Sequence, residues 1–163
     1  MTTEPRTRLR LARHDDVEPL HTLIAETIEA AYAPVYPPRA LPFFRRFHES
    51  RAIAERIDRG AVLVAETGER LAATGSFVEG EITGLFVRPG LERRGLGTAL
   101  MRALEARAIA AGVTESVLSV LIPARAFYER LGYRMAEARS RDLGDGQTLE
   151  FWIGRKPLAP TLR

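Results

Sequence analysis

Residues 80–104, GEITGLFVRPGLERRGLGTALMRAL, constrain the fold of this chain more than any other stretch. Ile82, Leu85, Phe86 and Val87 form a β-branched and aromatic run that Pro89-Gly90 ends, the pattern of a short strand. Leu96, Leu100, Met101, Leu104 and Ala108 recur at helical spacing, so a helix begins near Gly97. Glu92-Arg93-Arg94-Gly95-Leu96-Gly97-Thr98 is then a strand-to-helix loop. The first amides of a helix have no partner inside it. Together with the positive end of the helix dipole they favour a bound phosphate. Gly95 and Gly97 carry no side chain to obstruct the approach, and Arg93 and Arg94 add charge. By itself the loop fits phosphate binding and a plain helix start equally. A dinucleotide-binding loop fits less well, because Ala99 or Leu100 stands where a third glycine is wanted and the strands before it form a meander.

The rest of the chain fits around that unit. Residues 1–7 read as a loose tail, and Arg8–Arg13 as a half-buried strand. Asp15 or Asp16 is expected to cap a helix to about Tyr32, with Val17, Leu20, Leu23, Ile24 and Ile28 on one stripe. Pro34, Pro37 and Pro38 break it. A second helix is expected over Leu41–Asp58, with Phe43, Phe44, Phe47, Ile53 and Ile57 as its apolar set and Pro42 in its first turn. Strands at Ala61–Glu66 and Leu71–Glu79 lead by short turns to the strand that ends at Val87, an antiparallel meander. After the Gly97 helix come a strand at Ser116–Ile122, a short helix at Ala124–Leu131 behind Pro123, and a strand pair at Tyr133–Ala138 and Thr148–Ile153. The order β-α-α-β-β-β-α-β-α-β-β defines a mixed α/β (α+β) fold, a mostly antiparallel central sheet flanked by helices, in one domain over residues 1–163.

Composition narrows the function classes. The chain has 24 Lys+Arg against 21 Asp+Glu, a balance too mild to argue for nucleic acid. It has no cysteine, so disulfides, thiol catalysis and thiolate metal sites are excluded. His14, His21 and His48 have no partners at metal-ligand spacing, and neither a metal nor any other role is assigned to them. No leader-like or membrane-length apolar run occurs, so a cytoplasmic protein without membrane contact is expected. No residue argues for a homodimer through the C-terminal strands, which stays open.

Two motifs in order, E-R-R-G-L-G-T-A after the strand ITGLFV and A-R-A-F-Y-E-R-L-G-Y at 124–133, resemble the acetyl-CoA loop and second motif of the GNAT N-acetyltransferases. The resemblance covers about Glu81–Tyr133 and implies the following roles. Backbone groups of Leu85, Phe86 and Val87 pair with the pantetheine arm of acetyl-CoA. Amides of Arg93, Arg94, Gly95, Leu96, Gly97 and Thr98 cradle its pyrophosphate. The strand splays from its neighbour so that the cofactor wedges between them. An amide near Phe86 or Val87 faces the thioester carbonyl as an oxyanion donor. Tyr128 protonates the departing thiolate, and Glu81 acts as the general base for the amine. Tyr32, Tyr36 and Phe43 are candidates to line the acceptor site. The acceptor is a primary amine, of a small molecule in the first reading and of a protein N-terminus or lysine in the second. A CoA-binding module without turnover is the reading of another class. Two positions depart from the motifs: Glu92 where Gln or Arg is usual, and Leu121 where Asn or Ser is common. On the short helix Phe127 and Leu131 are expected to be buried, with Tyr128 on the flank.

Overall fold

The computed structural model describes residues 6–159. Of the expected tail, residues 1–5 lie outside the described residues, and Thr7 already opens the first strand. Strands β1 (Thr7–Leu11), β2 (Val62–Thr67), β3 (Arg70–Val78) and β4 (Glu81–Val87) form an antiparallel sheet in the order β1-β2-β3-β4. Strands β5 (Glu115–Val120), β6 (Arg134–Gly144) and β7 (Gln147–Pro157) form a second antiparallel sheet in the order β5-β7-β6. β4 and β5 run close together yet share no ladder among the described residues.

Helices cover both faces of the first sheet. Helices α1 (Val17–Thr27), α2 (Ala40–Phe47) and α3 (Ser50–Asp58) pack on one face, α4 (Leu96–Ala110) on the other. This is why β2 reads as a continuous apolar run: Val62 and Val64 face the α1–α3 core while Leu63 and Ala65 face α4. Leu100, Met101 and Leu104 are fully buried beneath α4, each stabilising the fold by roughly 1.5–3 kcal/mol. No helix among the described residues is long and apolar enough to cross a membrane.

Three local expectations change. The stretch 41–58 is two helices, because the chain turns out of helix at His48 and Glu49. No glycine or proline marks that corner. It is held by Arg56, whose guanidinium donates to the Phe47 carbonyl at 3.0 Å. Phe47 is correspondingly 55% exposed instead of joining the apolar set. Asp16 precedes α1 but does not cap it. Its carboxylate accepts from the Arg13 amide at 2.7 Å and from the Arg10 guanidinium at 2.7 and 3.0 Å. The final strands are longer than read, since exposed polar residues such as Arg139 and Arg141 mask β6. Asp145 and Gly146 turn the hairpin with φ of 52° and 71°, the mirror-image turn that suits twisted strands.

Candidate active site

The centre of the site is the end of β4. The ladder with β3 slips there: Ser76 pairs with Thr83 and Thr74 with Phe86, so Gly84 and Leu85 together oppose Gly75. This bulge turns on Gly84, at φ 63° in the left-handed region. It exchanges the two faces of the strand. Before it, Ile82 faces the α4 core; after it, Leu85 and Val87 do, and Phe86 swings into the α1–α3 core. Glu81 and Phe86 therefore share a face, which simple alternation does not give. The Arg88 amide donates to the Ala72 carbonyl at 2.8 Å. Backbone direction alternates along a strand, so Val87 turns its own N–H and C=O away from β3, toward the gap beside β5. Of Phe86 and Val87, Val87 has the amide facing that gap.

The loop continues from this edge. Arg93 and Gly95 take φ of 63° and 81°, and Gly95 is the N-cap residue of α4. Among the described residues, none of the amides from Arg93 to Thr98 donates to a protein acceptor; the first bond of the helix is Ala99 N–H to the Gly95 carbonyl. A row of open amides at a helix start fits a pyrophosphate. Glu92 does not oppose it, because its carboxylate turns back and accepts from the Gly90 amide at 2.8 Å. Gly97 also has a packing task. A Cβ there would lie 3.1 Å from two ring carbons of Phe127 and 3.6 Å from Val87. The two motifs are therefore in contact: the second glycine of the first lets the phenylalanine of the second pack onto the helix start.

That contact orients the short helix α5 (Arg125–Arg130), which follows a 3-10 turn over Ile122–Ala124. Tyr128 is its buried residue, at 8% exposure, while Phe127 and Leu131 are half-buried, the reverse of the expected stripe. The Tyr128 ring packs edge-on to Phe127 and Tyr133, at centroid distances of 5.2 and 5.5 Å. Its hydroxyl makes no hydrogen bond among the described residues, yet it is not sealed from solvent. Burial, with smaller contributions from the Tyr32 and Tyr133 phenols, pushes its pKa above the usual tyrosine value.

Tyr32 arrives from the opposite face. α1 ends in a π-helical turn, Ile28–Tyr32, closed by Ala33 N–H to the Ile28 carbonyl at 3.1 Å. The turn sets Tyr32 against Phe86, Phe44 and Tyr36. Tyr36 is also buried, and its hydroxyl accepts the Ile122 amide at 2.7 Å. Tyr36 borders an open pocket of about 350 Å³ with Val35, Pro37, Ile122 and the β6–β7 turn; Tyr32 and Phe43 do not. Phe43 instead packs on Phe44 and Phe47 and lies under the Arg141 guanidinium. Leu121 is packed against the α1–α3 core, an apolar residue in an apolar place.

Glu81 is exposed at the start of β4 and pairs with no cation among the described residues. His48, which carries no sequence signal, stands much nearer the bulge. Its ring is perpendicular to Phe86 at 5.0 Å, and its Cε1 would lie 3.6 Å from a Cβ at Gly84. Thr27 is a second such residue. It is buried, and its hydroxyl donates to the Leu23 carbonyl at 2.7 Å, with the Val87 carbonyl 3.5 Å away.

The model of the acetyltransferase (GNAT) family matches residues 22–133. The chain belongs to that family, and it is an acyltransferase by class. No curated protein matches it by sequence. Solved structures share its fold at low identity. The PaiA N-acetyltransferase of Thermoplasma acidophilum, solved with coenzyme A, is 19% identical with a TM-score of 0.76, over 93% of this chain and 99% of that one. The putative acetyltransferase YncA of Salmonella typhimurium, solved with acetyl-CoA, is 17% identical with a TM-score of 0.71, over 97% of each chain. The ribosomal-protein-S18-alanine N-acetyltransferase of Escherichia coli is 19% identical with a TM-score of 0.68, over 96% of each.

Proposed function

We propose that this chain transfers the acetyl group of acetyl-CoA to a primary amine, by direct attack within a ternary complex. The observation that carries the reading is the open run of amides from Arg93 to Thr98, continuous with the unladdered edge of β4. Those amides hold the pyrophosphate, and the outward backbone of β4 lines the pantetheine arm. The Val87 N–H hydrogen-bonds the thioester oxygen as negative charge develops there. The amine nitrogen forms its bond to the acetyl carbon, the carbon–sulfur bond breaks, and the Tyr128 hydroxyl gives its proton to the leaving thiolate; the proton that the acylated nitrogen sheds restores the phenol through water. No cysteine exists to carry the acetyl group in between.

Binding is the direct check. Acetyl-CoA is expected to raise the melting temperature of the purified protein, by about 2.7 kcal/mol of added stability at a hundred times its Kd, and NAD to do much less. Equal stabilisation by NAD overturns the reading. Thiol release across an amine panel separates an enzyme from a silent CoA-binding module.

Glu81 is the proposed base. An alkylammonium with a pKa near 10.4 must lose a proton before it attacks. From Glu81 to Val87 the strand advances by roughly 15–20 Å, so the proton travels through water to the carboxylate. Glu81→Gln is expected to lower the rate most below neutral pH, with the loss shrinking as pH nears the amine pKa. A loss equal at every pH assigns Glu81 a structural role.

A further inference from the structure

Arg56 and His48 form a unit that the acetyl-transfer machinery does not use. The Arg56 guanidinium reaches from α3 to the α2–α3 corner, donating to the Phe47 carbonyl at 3.0 Å, with Nδ1 of His48 3.3 Å from its other terminal nitrogen. A guanidinium has donors only. Nδ1 must therefore accept, and the neutral ring carries its proton on Nε2. Nε2 has no hydrogen-bond partner among the described residues and is not sealed from solvent. The ring that holds it stands on Phe86 and beside Gly84, at the β4 bulge. Arg56 itself is half-buried and forms no ion pair with a carboxylate among the described residues.

In this tautomer the free nitrogen of His48 is a donor and not a base. We infer that the His48 Nε2–H, held in place by Arg56, is a fixed donor for a carbonyl oxygen of the acceptor, so that the preferred amine carries a neighbouring carboxylate or carboxamide. The unpaired cation behind the ring favours the carboxylate of the two, because an anion there offsets the cost of the half-buried guanidinium. Burial first, then the Arg56 charge, lower the His48 pKa to about 4, so the donor keeps one form across the working pH range. The inference rests on the acetyltransferase reading and names its acceptor class.

The test compares phenylalanine, phenylalaninamide and 2-phenylethylamine with the wild type, His48→Ala and His48→Gln. Per free amine, with each amine's own pKa taken into account, the wild type is expected to favour the two carbonyl-bearing amines about 10-fold in kcat/KM, the worth of one hydrogen bond to a charged or strongly polar group. In His48→Ala that corrected ratio falls toward one, mainly through KM. In His48→Gln, whose amide nitrogen reaches the Nε2 position, it partly returns. Imidazole ¹⁵N spectra of the CoA-bound protein read the same contact without turnover. His48 is expected as the Nε2–H form from pH 5 to 8, with that proton shifting on addition of phenylalanine or its amide and not of 2-phenylethylamine. An Nδ1–H ring, no shift with any amine, or equal losses for all three overturn the inference. Failure of acetyl-CoA to bind, or of every amine to release thiol, counts instead against acetyl transfer. The ratio between phenylalanine and its amide tells carboxylate from carboxamide.

Discussion

Tyr128→Phe is expected to lower kcat by about 10²–10⁴-fold, the usual range for a positioned general acid, while the KM for acetyl-CoA changes far less. A thiolate leaving in a cleft with little water is poorly solvated, and a proton donor within hydrogen-bond reach relieves that cost. Tyr128 suits the task because its ring is buried between Phe127 and Tyr133 while its hydroxyl has no partner among the described residues to compete for the proton. Its raised pKa keeps the phenol protonated beyond the ordinary tyrosine range, so the wild-type rate should show no loss from this group up to about pH 10. Phenylalanine retains the ring and its packing, so the melting temperature should stay close to that of the wild type. Pre-steady-state thiol release measures the step directly. A variant that turns over at the wild-type rate makes Tyr128 a packing residue and leaves water to protonate the thiolate.

Gly97→Val is expected to damage stability and acetyl-CoA binding together. The new Cβ would sit 3.1 Å from the Phe127 ring, tighter than most carbon contacts, and valine adds two methyl groups to that space. Over-packing of this kind costs about 1–3 kcal/mol, or roughly 3–10 °C in melting temperature for a chain of this size. Either α5 moves away, carrying Tyr128 with it, or the first turn of α4 shifts and its open amides lose their aim. Calorimetry with and without acetyl-CoA reads both effects. Adding Phe127→Leu tells the two causes apart. It should recover most of the stability, and recovered binding as well would make the ring contact the whole cause. Stability without binding would mean that the valine also blocks the phosphate. A folded Gly97→Val protein that binds acetyl-CoA as well as the wild type would leave the loop a purely structural role.

The expectations that held came from residues whose signal is local. Leu96, Leu100, Met101 and Leu104 mark α4 because one face of one helix must be apolar, and Pro89-Gly90 ends β4 because proline and glycine act on their own backbone. Local signals also failed where their cause lay elsewhere. The break between α2 and α3 is fixed by Arg56, eight or nine residues farther on. Glu92 departs from the motif in its loop, but its carboxylate is committed to the Gly90 amide. On α5, Phe127 packs on the glycine of a distant motif and Tyr128 is the buried residue, a placement that no periodicity within six residues carries.

The family, the order of the strands and the loop that offers open amides were legible in the residues alone, because each is written in periodicity, in turn residues or in a contiguous motif. Which way those elements face depends on contacts between distant segments. A bulge of one residue at Gly84-Leu85 reverses the sides of β4. That reversal brings Phe86 to His48 and Tyr32, turns Leu85 and Val87 under α4, and puts Glu81 on the face of Phe86. A bulge depends on how two strands register, and the chain from Glu81 to Val87 carries no count of the residues opposite it.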